Sequence, residues 1–72
     1  MNKKNKIKIV VNGRLLTVNT KFSLKNLIEK LKTPINKVAI ELNEEIVNKK
    51  KLNKIYLKNK DKIEIVHFIG GG

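Results

Sequence analysis

The chain has 72 residues, a net charge of +11, no cysteine and a single histidine, His67. This length allows one domain, residues 1–72, without room for both a core and a deep substrate pocket, which disfavours a self-sufficient enzyme. The absence of cysteine excludes disulfides and thiolate chemistry, and one histidine does not make a metal site. No apolar run is long enough for a signal peptide or a membrane span, so we expect a soluble, cytoplasmic protein.

The positive charge suggests nucleic acid or an anionic membrane as a partner. However, sixteen lysines, ten asparagines and ten isoleucines make up half of the chain, and the codons of all three contain only A and T. Proteins that bind DNA depend on arginine and single-strand binders on aromatic rings, yet this chain has one Arg, two Phe and one Tyr. We therefore expect no nucleic-acid and no membrane partner. A basic nucleic-acid-binding module remains an alternative, which a gel shift over a salt series would test.

A β-hairpin is predicted at the start of the chain. Apolar side chains alternate over residues 7–11, which is typical of a strand. Asn12-Gly13 follows, and both residues tolerate the positive φ of a type I′ turn, so residues 14–18 form the returning strand. One face of this hairpin carries Ile7, Ile9, Leu16 and Val18, and the other carries Val10 and Leu15.

One amphipathic helix follows the hairpin. Ser23 is a suitable N-cap, because its hydroxyl can accept a hydrogen bond from a free N–H of the first turn. Leu24, Leu27, Ile28 and Leu31 then form one apolar stripe. Thr33-Pro34 ends the helix, since a residue before proline is disfavoured in the helical region.

Three further strands complete the predicted fold. They cover residues 38–42, 46–47 and 63–68, with turns at Asn43-Glu44 and at residues 58–61. Residues 48–56 are polar and rich in lysine; we expect Lys49, Lys50 and Lys51 to be a solvated loop, and Leu52, Ile55 and Leu57 to attach the segment to the core. The order ββ-α-ββ-β predicts a two-layer α+β domain with five strands against one main helix. The predicted core comprises Ile7, Ile9, Leu16, Val18, Leu24, Leu27, Ile28, Leu31, Val38, Ile40, Leu42, Ile63 and Ile65.

No catalytic combination of side chains is visible. Glu44-Glu45 lie in a turn, Ser23 is used as a cap, and we expect His67 to be a half-exposed strand residue. What remains is the end of the sequence, where Gly70, Gly71 and Gly72 follow the last strand. Glycine permits close backbone approach, so such a tail can carry an α-carboxylate into a narrow active site. A frayed end or a cloning remnant is the alternative for the tail alone.

The combination of hairpin, helix, short strand pair and a last strand leading to Gly-Gly resembles the ubiquitin-like β-grasp carriers. Residues 38–47 and 61–72 resemble the ThiS family, the sulfur carriers of thiamin biosynthesis, and the resemblance extends over residues 7–72. Two positions depart from the family, which often has glycine where Glu44 and Lys60 stand. The basic leader, residues 1–6, is also longer than such carriers usually need.

The resemblance implies a carrier rather than an enzyme. A ThiF-like adenylating enzyme would use ATP and Mg²⁺ to convert the Gly72 carboxylate into an acyl-adenylate, and a persulfide donor protein would then supply sulfur. Thiazole synthase would accept that sulfur from the Gly72 thiocarboxylate, while the carrier itself would bind no cofactor. The small subunit of molybdopterin synthase and a protein modifier that forms amide bonds to lysines remain alternatives.

A partner surface is expected on the face of the sheet that the helix does not cover. An exposed apolar patch of this kind usually marks a binding site, and lysines around it would favour an acidic rim on the partner. Gly70 and Gly71 would let the tail enter the partner's active site. The patch comprises Val10, Leu15, Ala39, Val66, Phe68 and Ile69.

Overall fold

The computed structural model describes residues 5–68, which form a mixed five-stranded sheet packed against one main helix. The elements are β1 Lys6–Val11, β2 Arg14–Asn19, α1 Leu24–Lys30, β3 Val38–Leu42, β4 Glu45–Ile46 and β5 Lys62–His67, with 3₁₀ helices at Ile35–Lys37 and Lys49–Lys54. The strand order is β2-β1-β5-β3-β4, with β5 parallel to β1 and antiparallel to β3. This is the predicted α+β order. Residues 1–4 and Ile69, Gly70, Gly71 and Gly72 lie outside the described part of the chain.

The first hairpin has the predicted turn and register. Asn12 and Gly13 both have a positive φ, of 50° and 83°, as a type I′ turn requires. Ile9 lies opposite Leu16 and Val10 lies opposite Leu15, so the two faces are divided as the alternation predicted.

The helix begins as predicted, at a capping box. The Ser23 hydroxyl accepts from the Asn26 N–H at 3.0 Å, and the Asn26 side chain accepts from the Ser23 N–H at 3.1 Å. These reciprocal bonds satisfy two N–H groups that the first turn of the helix otherwise leaves unpaired.

The helix ends earlier than the apolar stripe predicted. The Thr33 N–H donates to the Ile28 carbonyl at 3.1 Å and the Lys32 N–H donates to the Glu29 carbonyl at 3.0 Å, which together form a Schellman motif. Lys32 adopts the left-handed conformation, with φ 55°, that terminates the helix. Leu31 is therefore the C-cap and is 39% exposed, so its prediction as a core residue was wrong.

The core lies between α1 and one face of the sheet. Every other predicted core residue is buried or packs partly buried against this core. Val11 is buried as well, because it pairs with the fully buried Ile63 of β5. Leu52 and Leu57 are also buried, as the attachment of residues 48–56 predicted. The buried set is Ile9, Val11, Val18, Leu24, Leu27, Ile28, Val38, Ile40, Leu52, Leu57, Ile63 and Ile65.

Two turn asparagines hold β5 at its edges. β1 ends at Val11, and beyond it the Asn12 side chain takes the place of the next strand residue: the Ile65 N–H donates to Asn12 Oδ1 at 2.7 Å, and Asn12 Nδ2 donates to the Ile65 carbonyl at 3.2 Å. On the β3 side, the Lys62 N–H donates to Asn43 Oδ1 at 2.9 Å. Both edges of the strand thus stay hydrogen-bonded where the neighbouring strands turn away.

Glu44 and Lys60, the two positions that depart from the family's glycine, both have a positive φ, of 72° and 74°. A side chain in the left-handed conformation places its Cβ close to the following carbonyl oxygen, which costs free energy that glycine does not incur. The family's preference for glycine therefore has a direct conformational reason here.

Replacing Lys60 by glycine should raise the free energy of unfolding by about 0.5–1 kcal/mol, because relief of left-handed strain outweighs the added entropy of the unfolded chain. Lys58→Gly in the same turn is the matched control, since Lys58 has no positive φ and glycine there should not stabilise. Urea unfolding measures both variants. Destabilisation by Lys60→Gly would contradict the turn geometry.

Asn12→Gly should keep the turn, since glycine accepts the positive φ, but remove both bonds to Ile65. We expect a loss of about 1–3 kcal/mol in unfolding free energy, because a buried N–H and carbonyl lose their partners. Amide exchange should accelerate at Ile65 more than in β3, whose bonds do not involve Asn12. Equal acceleration at both places would show that the side chain has no local role.

Candidate functional site

The end of β5 is the candidate site, because this strand leads directly to the glycine tail. Val38 lies opposite His67, Ile40 opposite Ile65 and Leu42 opposite Ile63, so the whole strand is paired with β3. Ile63 is 0% and Ile65 8% exposed. In sequence, the tail therefore follows a strand that is anchored in the core.

The predicted partner face lies on the side of the sheet away from the helix, and its residues form two separate pairs. Val10 lies opposite Leu15, and Ala39 lies opposite Val66. Val10 also lies beside Lys62, four residues before Val66 in β5, a distance of about 13 Å along the strand. We name these the Val10–Leu15 pair and the Ala39–Val66 pair; the second is nearer to the tail.

Charged residues separate the two pairs. Glu41 and Glu64 lie directly opposite each other on this face, and both are half-buried. Lys62 lies on the same face, and its Nζ is 3.6 Å from a carboxylate oxygen of Glu44. The face therefore presents carboxylates in addition to the lysines that were expected around the patch. Like charges directly across a strand pair repel, so Glu41 and Glu64 favour a cationic group above them.

Leu15 is 66% exposed, Val66 is 54% exposed and Phe68 is 55% exposed, whereas Val10 and Ala39 are half-buried. Each pair therefore includes one exposed apolar side chain, Leu15 in the Val10–Leu15 pair and Val66 in the Ala39–Val66 pair. The partner-contact role of these residues stays a prediction, and Ile69, Gly70, Gly71 and Gly72 fall outside the described residues.

Phe68, the last described residue, is held at two points. Its N–H donates to the Lys37 carbonyl at 2.9 Å, which continues the β3–β5 pairing by one residue. The Lys49 Nζ lies 5.4 Å from the centre of its ring, within the range of a cation–π interaction.

The prediction that Lys49, Lys50 and Lys51 form a solvated loop was right about their exposure but wrong about the loop. Lys49–Lys54 form a 3₁₀ helix, which Asn48 caps by accepting from the Lys50 N–H at 2.9 Å. The Lys49 ammonium donates to the Ile35 carbonyl at 3.0 Å and to the Val38 carbonyl at 2.6 Å. Asn48 is a good N-cap residue, and it was the one signal in the sequence for this helix.

A cavity of about 460 Å³ lies on the helix side of the domain, between α1 and the Lys49–Lys54 helix. Lys50 lines it together with the apolar side chains of Ile28, Ile35 and Leu52. Among residues 5–68, no group of three or more His, Cys, Asp or Glu side chains could hold a metal ion, and His67 lies exposed at the end of β5. In the same range, no helix is both long and apolar enough to cross a membrane.

Comparison with known proteins gives consistent matches. The model of the ThiS family matches residues 4–72. The chain is 49% identical over 35 residues to the sulfur carrier protein ThiS of Bacillus subtilis, covering 49% of this chain and 53% of that protein. It is 38% identical over 66 residues to a thiazole synthase of Paramagnetospirillum magneticum, covering 92% of this chain but only 20% of that protein.

The fold is also that of a solved relative. The crystal structure of the thiamine biosynthesis protein ThiS from Geobacter metallireducens matches with a TM-score of 0.80 and 29% identity, over 92% of this chain and 100% of that one. The β-grasp architecture that the resemblance implied is therefore confirmed. Because the family model covers nearly the whole chain, this chain belongs to the ThiS family.

Proposed function

We propose that this chain is a sulfur carrier of thiamin biosynthesis and that its reacting group is the C-terminal carboxylate of Gly72. The observation that carries the proposal is the family match, which continues through residue 72 and so includes the tail. The anchored end of β5 supports it, because a tail needs a fixed starting point to be presented to an enzyme. The relative named as a sulfur carrier supports the same function.

The proposed chemistry overcomes the low reactivity of a carboxylate. An oxygen of the Gly72 carboxylate attacks the α-phosphorus of ATP, forming a C–O–P mixed anhydride and releasing pyrophosphate. A persulfide sulfur then attacks the acyl carbon and displaces AMP. A thiol cleaves the resulting acyl disulfide at its S–S bond, which leaves the Gly72 thiocarboxylate. ATP and Mg²⁺ belong to the adenylating partner, so the carrier needs to bind neither.

Three partners follow from this chemistry: a ThiF-like adenylating enzyme, a persulfide donor protein and a thiazole synthase. The thiazole synthase has separate support, because a stretch similar to this chain occurs within a longer protein of that name. Two units that occur in one polypeptide are often partners when they are separate chains. The catalytic groups would come from the partners, and this chain would provide the acyl group and the surface that they recognise.

We place the docking surface for the adenylating enzyme at the Ala39–Val66 pair. Gly72 is four residues beyond Phe68, so an extended tail reaches about 13–14 Å from it. A partner seated on the Ala39–Val66 pair therefore has the carboxylate within reach. The Val10–Leu15 pair lies about 13 Å farther back along the sheet, where it would extend the contact rather than form its centre.

Deleting Gly72 should abolish ATP–pyrophosphate exchange by the ThiF-like enzyme, because the new terminal carboxylate stops one residue short of the phosphate. The thermal midpoint should stay unchanged, since Gly72 has no side chain to pack. A deletion variant that still supports exchange at the wild-type rate would exclude Gly72 as the reacting residue.

Val66→Asp should weaken binding to the adenylating enzyme about tenfold or more, because it places a carboxylate in an apolar contact. Tyr56→Asp is the matched control. The exposed fraction of Tyr56, 57%, is similar to that of Val66, 54%, but Tyr56 lies beside the helix cap Ser23 and not on the Ala39–Val66 pair. Circular dichroism should show both variants folded. If the two variants bind equally well, the assignment of the Ala39–Val66 pair is wrong.

A further inference from the structure

Within residues 5–68, no strand pairs with the outer edge of the first half of β3. β4 is only two residues long and pairs only with Glu41 and Leu42. The Ile40 carbonyl still accepts from the Val47 N–H at 2.9 Å, but the Val38 carbonyl, which faces the same edge two residues earlier, lies beyond the reach of β4. A donor from outside β4 can therefore reach this carbonyl.

Lys49 provides that donor. Its ammonium carries three N–H groups, and it donates to the Val38 carbonyl at 2.6 Å and the Ile35 carbonyl at 3.0 Å. These two bonds hold the ammonium at the beginning of β3. Without these bonds, an exposed lysine side chain would sample many rotamers.

The same ammonium contacts the residue from which the tail departs. Phe68 lies on the β5 side of β3, as its bond to the Lys37 carbonyl shows, whereas Lys49 binds the opposite edge. The Phe68 ring lies 5.4 Å from Lys49 Nζ, so it extends across the start of β3. The backbone bond alone would leave Phe68 free to rotate about its side-chain torsions and to fray, as terminal strand residues do.

We propose that Lys49 is a positioning residue for the C-terminal tail: it fixes the Phe68 ring across the start of β3 and so sets the direction in which the chain leaves the domain. The inference rests on the proposed function, in which the tail must enter a partner's active site. A fixed position of Phe68 limits the volume that the terminal carboxylate explores. This raises the effective concentration of the carboxylate beside ATP once the carrier is docked. The role concerns the reaction of the docked carrier and not its docking.

The test compares three variants of the full chain. Lys49→Met keeps the unbranched stem and removes the ammonium. Lys49→Arg keeps donors for both carbonyls and a cation that stacks on an aromatic ring. Lys50→Met removes the charge of a neighbouring lysine that also lines the helix-side cavity but whose ammonium has no hydrogen bond to Ile35 or Val38 among residues 5–68. Each variant is measured for amide exchange at Phe68, for the Kd of the ThiF-like enzyme, and for kcat of pyrophosphate exchange at saturating carrier.

In Lys49→Met we expect hydrogen exchange at the Phe68 amide to accelerate about three- to tenfold. The cation–π contact is lost, and the bond from the Phe68 N–H to the Lys37 carbonyl then opens more often. The kcat should fall about three- to tenfold, because the docked carboxylate is less often aligned, while Kd stays unchanged. Lys49→Arg and Lys50→Met should both keep the wild-type values of Phe68 amide exchange, Kd and kcat.

Unchanged Phe68 exchange in Lys49→Met, or a change in Kd with kcat intact, would overturn the proposal. A fall in stability alone, with wild-type kcat and Kd, would overturn it as well, since it would make Lys49 a purely structural residue. If the wild-type chain itself supports no pyrophosphate exchange, the proposed function fails instead. The two failures are therefore distinguishable.

Discussion

The pairing of β5 with β1 and β3 is the interaction on which the rest of the structure depends. This strand contributes Ile63 and Ile65 to the core, occupies the centre of the sheet, and then leads to the C-terminus. A strand near the middle of a small domain opens only with the domain as a whole, so the buried part of β5 shares the stability of the fold. In the proposed function, the reacting group follows this strand closely in sequence.

Neighbouring segments compensate where the strands beside β5 and β3 are short. Asn12 replaces the missing continuation of β1, and Lys49 satisfies a carbonyl that β4 does not reach. Both side chains act at the end of the sheet from which the tail leaves. The domain thereby keeps these backbone hydrogen bonds without longer neighbouring strands.

Most of the fold could be predicted from local pattern, and the failures have identifiable physical causes. Asn12-Gly13 determined the first hairpin and its register, and Ser23 determined the start of the helix. The end of the helix was placed too late because Lys32 occupies the left-handed position where glycine is the usual signal, so the next visible stop was Pro34. Glu44 and Lys60 also adopt the left-handed conformation, which a glycine at either position would have indicated.

The candidate site was predictable in part. Strand alternation assigned Val10, Leu15, Ala39 and Val66 to one face, but it did not reveal that they form two pairs. That separation depends on the register between β1 and β5, which are parallel and far apart in sequence, so no turn fixes it. Lys49 was missed because a lysine run gives no indication of which ammonium meets an unpaired carbonyl.

The central claim is that Gly72 carries sulfur as a thiocarboxylate. It is tested most directly by the intact mass of the full chain after incubation with the ThiF-like enzyme, ATP, Mg²⁺ and a persulfide donor. The account predicts a mass increase equal to the exchange of one oxygen for one sulfur, confined to the C-terminal peptide and absent without ATP. An unchanged mass, or covalent attachment of the chain to a lysine of another protein, would contradict it.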